Sequence, residues 1–480
     1  MTDLSKPLAP PDPVPGTLRA RHVVFFVIAA AAPLGFAVGS VPLAIGRGGV
    51  GTALMFFVVG AFLMLFAVGY VTMARFVPNA GALFSFITAG LGRPLGLGTA
   101  FVAALAYAVA SAGSVGPFAV FGSYATESVF GFTTSWQTWA FAGAALMGLL
   151  GLLNVELNLR VLGVIMLVEV AALTVLGVGI IAQGGAPGEG LSLDALRPDA
   201  VSGSGLGVVL LVVFAAFAGF EATALFREEA RDPVTTVRRA TFASLAVIAV
   251  FQGFVAWAIV QAYGRSAVQV ANEQPTTMFT LAADRFVGSW LADAITLLVV
   301  GSWFASLLAF HNATTRYLAV LARDGALPSA LSRRSRRTGA PWVASLSHTV
   351  FTFAVIGYCA AQGLDPYLDL FVVGSVPVAV SIPAMECLTA IAIIAFFYRD
   401  RRGQSRWAVL VAPAVSAVAL ALVVYAVVAN IALFTAREGA INIVLPSINL
   451  VILVLGIGRA LWMRRKHPDQ YERLGHWGSR

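Results

Sequence analysis

Apolar residues in this chain run together in blocks of about twenty, and the polar residues gather between the blocks. A helix of about 20 apolar residues crosses the hydrocarbon core of a bilayer. Twelve blocks can be traced, at about 23–45, 50–74, 95–122, 136–153, 157–181, 207–233, 241–262, 291–320, 342–361, 368–397, 407–434 and 443–463. They predict an all-α polytopic membrane protein with twelve transmembrane helices. Residues 1–20 are polar and proline-rich (PLAPPDPVPG) and predict disorder. They lack the basic start, short apolar core and cleavage site of a signal peptide. Two connections are long. The one at 182–206 is glycine-rich with Asp194 and Asp199, and the one at 264–290 contains PTTMFTLAADRF, which reads as a short amphipathic helix over the mouth of the bundle.

Composition agrees with this pattern. Of 480 residues, 59% are hydrophobic and 11% charged, and the mean hydropathy is +0.86. No soluble domain is that apolar. The net charge of +8 invites a nucleic-acid reading, but the placement of the arginines points to membrane orientation instead. With the N-terminus inside, only Arg47, Arg197, Arg265, Arg285 and Arg437, five of 31 basic residues, fall on the outer side. Both termini are therefore expected in the cytoplasm of a multi-pass protein of the cell membrane, with the bilayer and no nucleic acid as a partner. Cys359 and Cys387 lie in apolar blocks, and the five histidines show no metal-binding spacing. No phosphate-cradling glycine loop is present. The expectation is no cofactor, no metal and no direct use of ATP. An intramembrane enzyme would need paired His or Asp within helices, and none is found. A sensor or complex subunit remains the other non-transport class, although no long soluble output segment is present.

The stretch 207–233 (GVVLLVVFAAFAGFEATALFREEARDP) stands out. It puts Gly219 and Glu221 at membrane depth, where an ionisable side chain marks a functional site. A glycine-interrupted apolar segment is also the sequence mark of a broken transport helix, and a continuous helix with Glu221 near the interface is the bland alternative. The first block holds a second weak point, Ala32-Pro33-Leu34-Gly35-Phe36, readable as a break or as a simple proline kink. The two points lie five helices apart, as in an inverted five-plus-five repeat with substrate bound where the broken helices meet. Freed amides suit a carboxylate and freed carbonyls an ammonium, so an amino acid or related amine is the natural ligand.

Three passages resemble the amino-acid/polyamine/organocation permease superfamily. They are Phe214 to Pro233, His311-Asn312-Ala313-Thr314-Thr315-Arg316-Tyr317 continuing through Arg323-Asp324-Gly325-Ala326-Leu327-Pro328 to Pro341, and Pro78-Asn79-Ala80-Gly81-Ala82-Leu83-Phe84. The resemblance implies a leucine-transporter-like fold, secondary active transport and an amino-acid-type substrate. It implies a first repeat at 21–200, a second at 201–400, two further helices at 401–463 and a basic cytoplasmic tail at 464–480 that anchors helix twelve at the headgroups.

Site residues follow position by position. The family's break in helix one falls on Gly35-Phe36-Ala37, seven residues before Pro42, with its Gly-Ser-Gly pattern degraded; Pro33 and Leu34 precede it. Phe217-Ala218-Gly219 fall where relatives offer carbonyls to the substrate amine. Glu221 falls on the acidic position of proton-linked members. The aromatic gate position is Ala215, so the gate moves to Phe214 or Phe217. Ser306 falls on a pocket-lining position, and Tyr107, Ser111 and Ser114 share related faces of helix three, as pocket lining or as helix-to-helix glue. Glu169 reads as a second proton-coupling group or as a carboxylate satisfied between helices. Glu386 reads as structural, because its half of helix ten packs outside the site in this fold. His311 and Asn312 read as packing or gating. Glu228, Glu229, Arg231, Asp232, Arg316 and Arg323 read as an inner-gate charge network or as a solvated loop. The expectation is a transporter of an amino acid or related amine. It is coupled to protons with sodium as the alternative, and polyamine transport, exchange and export stay open.

Overall fold

The computed structural model describes residues 19–77, 82–153, 159–201, 203, 205–221, 223 and 230–474. Passage 78–81 and Arg227, Glu228 and Glu229 lie outside the described residues, and so do the first 18 and last six positions. Regular structure among the described residues is helical throughout. In hydrocarbon a chain must satisfy its own backbone groups, and helices do so within one segment.

The first apolar block is two helices, α1 (Ala20–Ala30) and α2 (Pro33–Gly48). Then come α3 (Thr52–Met73), α4 (Ala82–Leu91), α5 (Arg93–Ser128), α6 (Trp136–Leu152), α7 (Leu159–Ala182) and the short α8 (Leu206–Phe217). Next, α9 (Pro233–Tyr263) opens with Asp232 as its cap, accepting the Thr235 amide. The 264–290 connection folds as α10 (Ala267–Glu273) and α11 (Met278–Phe286), and α11 buries Met278, Phe279, Ala282, Ala283 and Phe286. The chain continues through α12 (Ser289–Arg323), α13 (Trp342–Ala361), α14 (Val376–Arg399), α15 (Ala412–Ala429), α16 (Ile431–Thr435), α17 (Ile441–Lys466) and α18 (Pro468–Arg473). π-helical turns at Pro366–Val373 and Trp407–Val411 lead into α14 and α15.

Among the described residues, nine helices are long and apolar enough to cross a membrane. The other three blocks fall short for visible reasons. The first is split, α6 has 17 residues, and α8 stops after 12.

Small residues let the helices approach closely, as membrane packing requires. A Cβ on Gly456 of α17 would lie 2.7 Å from the Gly98 Cα of α5. The centre of the bundle is built from α2, α3, α5, α8, α9, α12 and α14. α17 is peripheral, with Leu450, Val451, Val454 and Leu455 exposed for lipid.

The tail does more than supply a basic end to α17. Arg93 donates to the Leu474 and Glu472 carbonyls at 3.4 and 3.0 Å. Arg459 donates to Ala326 and Gly325 at 3.1 and 2.7 Å. This clasp ties α18 and α17 to the start of α5 and the exit of α12. Its arginines satisfy carbonyls that would otherwise lack donors at chain ends and turns.

Candidate functional site

The first break lies at Ala31 and Ala32, where Ala32 takes left-handed backbone angles (φ 44, ψ 67). Pro33 has no amide hydrogen and disfavours a helical residue before it, so α1 cannot continue through it. This corrects the break position expected at Gly35-Phe36-Ala37, which belongs to the continuous α2. Gly35 serves contact instead, because a Cβ there would sit 2.9 Å from Ser302 Oγ of α12.

Free amides at the start of a helix carry partial positive charge and attract carboxylates. Here a carboxylate of the protein itself answers them. Leu34 N–H donates to Glu169 Oε2 at 3.3 Å, and Gly35 N–H donates to Ser302 Oγ at 3.0 Å. Gln252 of α9 donates to the Pro33 carbonyl at 3.1 Å, while its own Oε1 is buried without a partner. Glu169 is 2% exposed. An apolar cavity of about 170 Å³ lies behind this break, between Pro33, Met166, Val170, Ile248 and Gln252.

The second break follows α8. Ala218 turns extended (φ −55, ψ 133) and Gly219 takes φ +104, a conformation that glycine adopts without strain. Glu221 folds back on this turn, and its Oε2 accepts the Gly219 amide at 2.8 Å. Tyr107 of α5 donates to Glu221 Oε1 at 3.4 Å, and Tyr70 of α3 donates to the Glu221 carbonyl at 2.5 Å. Glu221 is 5% exposed. Among the described residues, nothing lies within 4 Å of where a side chain on Gly219 would stand. The Tyr107 ring packs against Tyr317 and Phe310, and Tyr70 against Phe220 and Phe86. Each break therefore has one buried carboxylate bound to one freed backbone amide.

The remaining candidates are placed as follows. Phe214 and Phe217 are buried, and Phe217 packs toward Gly60 of α3. Ala215 is exposed, Phe36 half-buried and Ala37 buried. Ser306 is buried on α12, one turn beyond Ser302. Ser111 donates to the Leu307 carbonyl at 3.0 Å, and Ser114 to Ala110 within its own helix at 2.7 Å. Asp232 is spent on capping α9, which holds its carboxyl below the usual range. Asp324, after α12, is pushed up to about 6 by burial, with Arg323 pulling the other way. Sequence reasoning missed Ser302, Gln252, Tyr70 and Tyr317. A glutamine in the middle of apolar α9 and a serine four residues before Ser306 were the available signals.

Glu386, expected to be structural, is 1% exposed on α14, and among the described residues its Oε2 has no hydrogen-bond partner. His311 and His348 form a separate buried chain. Their Nδ1 atoms meet at 2.8 Å, His311 Nε2 reaches Ser345 Oγ at 3.0 Å, and His348 Nε2 reaches the Ala108 carbonyl at 3.3 Å. Among the described residues, no group of three or more His, Cys, Asp or Glu is arranged to hold a metal ion.

The amino acid permease family matches residues 21–473. The chain belongs to that family. The match runs from α1 to the end of α18, so it takes in both breaks and the carboxylates beside them. A comparison with curated proteins found no match. The permease is thus a multi-pass membrane protein and a transporter of amino acids rather than an enzyme.

Proposed function

We propose that this permease moves an amino acid or related amine across the cell membrane by proton-coupled alternating access. The observation that carries this reading is the pairing of each helix break with a buried carboxylate. A carboxyl at membrane depth is costly when ionised. A carboxyl that can exchange its backbone partner for a proton is suited to coupling. The substrate's carboxylate would take over the Leu34 and Gly35 amides now held by Glu169 and Ser302. Its ammonium would enter the open side of Gly219, between the Ala218 region, Glu221 and the Tyr107 ring. Phe36, Ala37, Phe214, Ala215, Phe217, Ser111 and Ser306 complete the proposed lining, and Glu221 and Glu169 the proton-coupling pair.

On this reading the two inverted repeats are 21–200 and 201–400, with one break in each and 401–463 outside them. The bias of basic residues supports cytoplasmic termini. Rocking of α1, α2, α3, α8 and α9 against the rest would open the site to one side at a time.

The test begins with thermal stabilisation of the purified protein by a panel of amino acids and amines, since a ligand of the folded state raises its apparent stability. The best stabiliser is then followed in proteoliposomes under a proton gradient. Glu221→Gln is expected to bind this ligand and express normally but to lose gradient-driven accumulation. Accumulation at the wild-type level by that variant would overturn the role given to Glu221. Stabilisation only by amines without a carboxylate would redirect the reading to amine transport.

A further inference from the structure

The corner between α14 and α15 carries a basic cluster that transport does not use. Arg399, Arg401 and Arg402 stand close together in the chain, and all three are exposed. Together with Tyr398 and Gln404 they line an open polar cleft of about 550 Å³. The corner joins two segments that are each long and apolar enough to cross a membrane, Pro366–Arg399 and Trp407–Ala429. It therefore lies at the level of the lipid headgroups. Tyr398 and Trp407, at the two edges of the corner, are exposed, as aromatic side chains at a membrane interface are.

The corner has a defined shape. Arg402 takes a left-handed backbone conformation (φ 48), its amide donates to Asp400 Oδ1 at 2.8 Å, and the Gln404 amide donates to the Arg401 carbonyl at 2.8 Å. The Arg402 guanidinium lies 4.5 Å from the centre of the Phe396 ring and 5.3 Å from that of Phe76, just past the end of α3. A guanidinium stacked on rings is held through its faces, which leaves the N–H donors at its edges for an anion. Among the described residues, no carboxylate stands within ion-pair distance of these three guanidinium groups. Asp400, the acidic residue of the corner, is engaged by the Arg402 amide. Membrane orientation asks only for charge, as in the exposed arginines at 333–337, none of which is stacked on a ring among the described residues. A cleft, a stacked arginine and two unpaired neighbours go beyond that requirement.

We propose that this corner binds the phosphate of an anionic phospholipid headgroup. Arg399 and Arg401 bond its oxygens, since a guanidinium matches phosphate with parallel donors. Arg402, held against Phe76 and Phe396, offers its edge donors to the same group. The ligand class is a phosphodiester with net negative charge, such as phosphatidylglycerol. A zwitterionic headgroup brings an ammonium that three arginines repel. The site is independent of the two helix breaks and of proton coupling, and it holds for either orientation of the chain in the membrane.

Thermal unfolding of the purified protein in detergent tests this, with equal amounts of phosphatidylglycerol or phosphatidylcholine added, since a ligand of the folded state raises apparent stability. Phosphatidylglycerol is expected to raise the wild-type melting temperature above the value in phosphatidylcholine. Arg399→Gln with Arg401→Gln is expected to lose most of that rise. Arg336→Gln with Arg337→Gln removes the same charge from another exposed loop and is expected to keep it. No difference between the two lipids in the wild type, or equal losses in the two pairs, overturns the site. Inorganic phosphate at matched concentration is the second probe. A rise as large as that with lipid overturns the lipid as the source and assigns the cleft to a soluble phosphate. Should the Arg399 and Arg401 pair fail to fold, Arg401→Gln alone must lose part of the rise that Arg336→Gln alone keeps.

Discussion

At the scale of single residues, this permease places polar groups where each one alters stability or titration. Asp324 is the clearest case outside the membrane span. Burial raises its carboxyl from 3.8 to about 6, and Oδ2 has no partner. Between those values the folded protein holds more proton at Asp324 than the unfolded chain does, so its stability falls as pH rises from about 4 to 6. Asp324→Asn removes that titration. It is expected to flatten the pH profile and to add about 1–2 kcal/mol above pH 6, after discounting for partial exposure. Thermal unfolding from pH 4 to 8 checks this, and parallel profiles for the two proteins would contradict it. His311 and His348 show the opposite economy. Each ring nitrogen has a partner, so the buried pair needs no charge.

At the scale of elements, the two breaks are made by different chemistry. Pro33 stops α1 by what its ring forbids, and Gly219 ends α8 by what its missing side chain allows. Because Gly219 has open space beside it, Gly219→Ala tests the backbone alone. An L side chain at φ +104 is strained by about 1–3 kcal/mol. The variant should therefore melt lower, and Glu221 should lose its grip on the residue 219 amide. An unchanged melting temperature would mean that the turn relaxes without cost. The sequence disclosed the elements well, since long apolar blocks leave little choice in a bilayer. The proline at the Ala32-Pro33 weak point marks where the first break falls; the resemblance, counted back from Pro42, set it at Gly35-Phe36-Ala37, where Gly35 and Gly39 instead serve close contact with Ser302 and Trp303.

At the scale of the whole molecule, two sets of connections gather at opposite ends of the bundle. One end holds the clasp of Arg93 and Arg459 with Thr338 bonded to the Leu152 carbonyl. The other holds the 182–205 connection, where Gly51 bonds to the Ala200 carbonyl. On the topology proposed from the charge bias, the clasp lies in the cytoplasm. Leu193→Cys and Arg336→Cys, both at exposed positions, test this with a membrane-impermeant thiol reagent on intact cells. Only Leu193→Cys should label, and the reverse pattern would invert the topology.

The sequence by itself determined the helical class, the number of apolar blocks, the charge asymmetry and Glu221 as a candidate inside an apolar block. These follow from local rules: hydropathy, spacing and the cost of a charge in lipid. It did not determine what Glu169, Ser302 and Gln252 touch. Glu169 lies 135 positions from Leu34, and Ser302 lies 267 from Gly35. Only the packing of α7, α9 and α12 around the first break brings such distant groups within reach. Their roles are therefore set by tertiary contact, which no local pattern encodes.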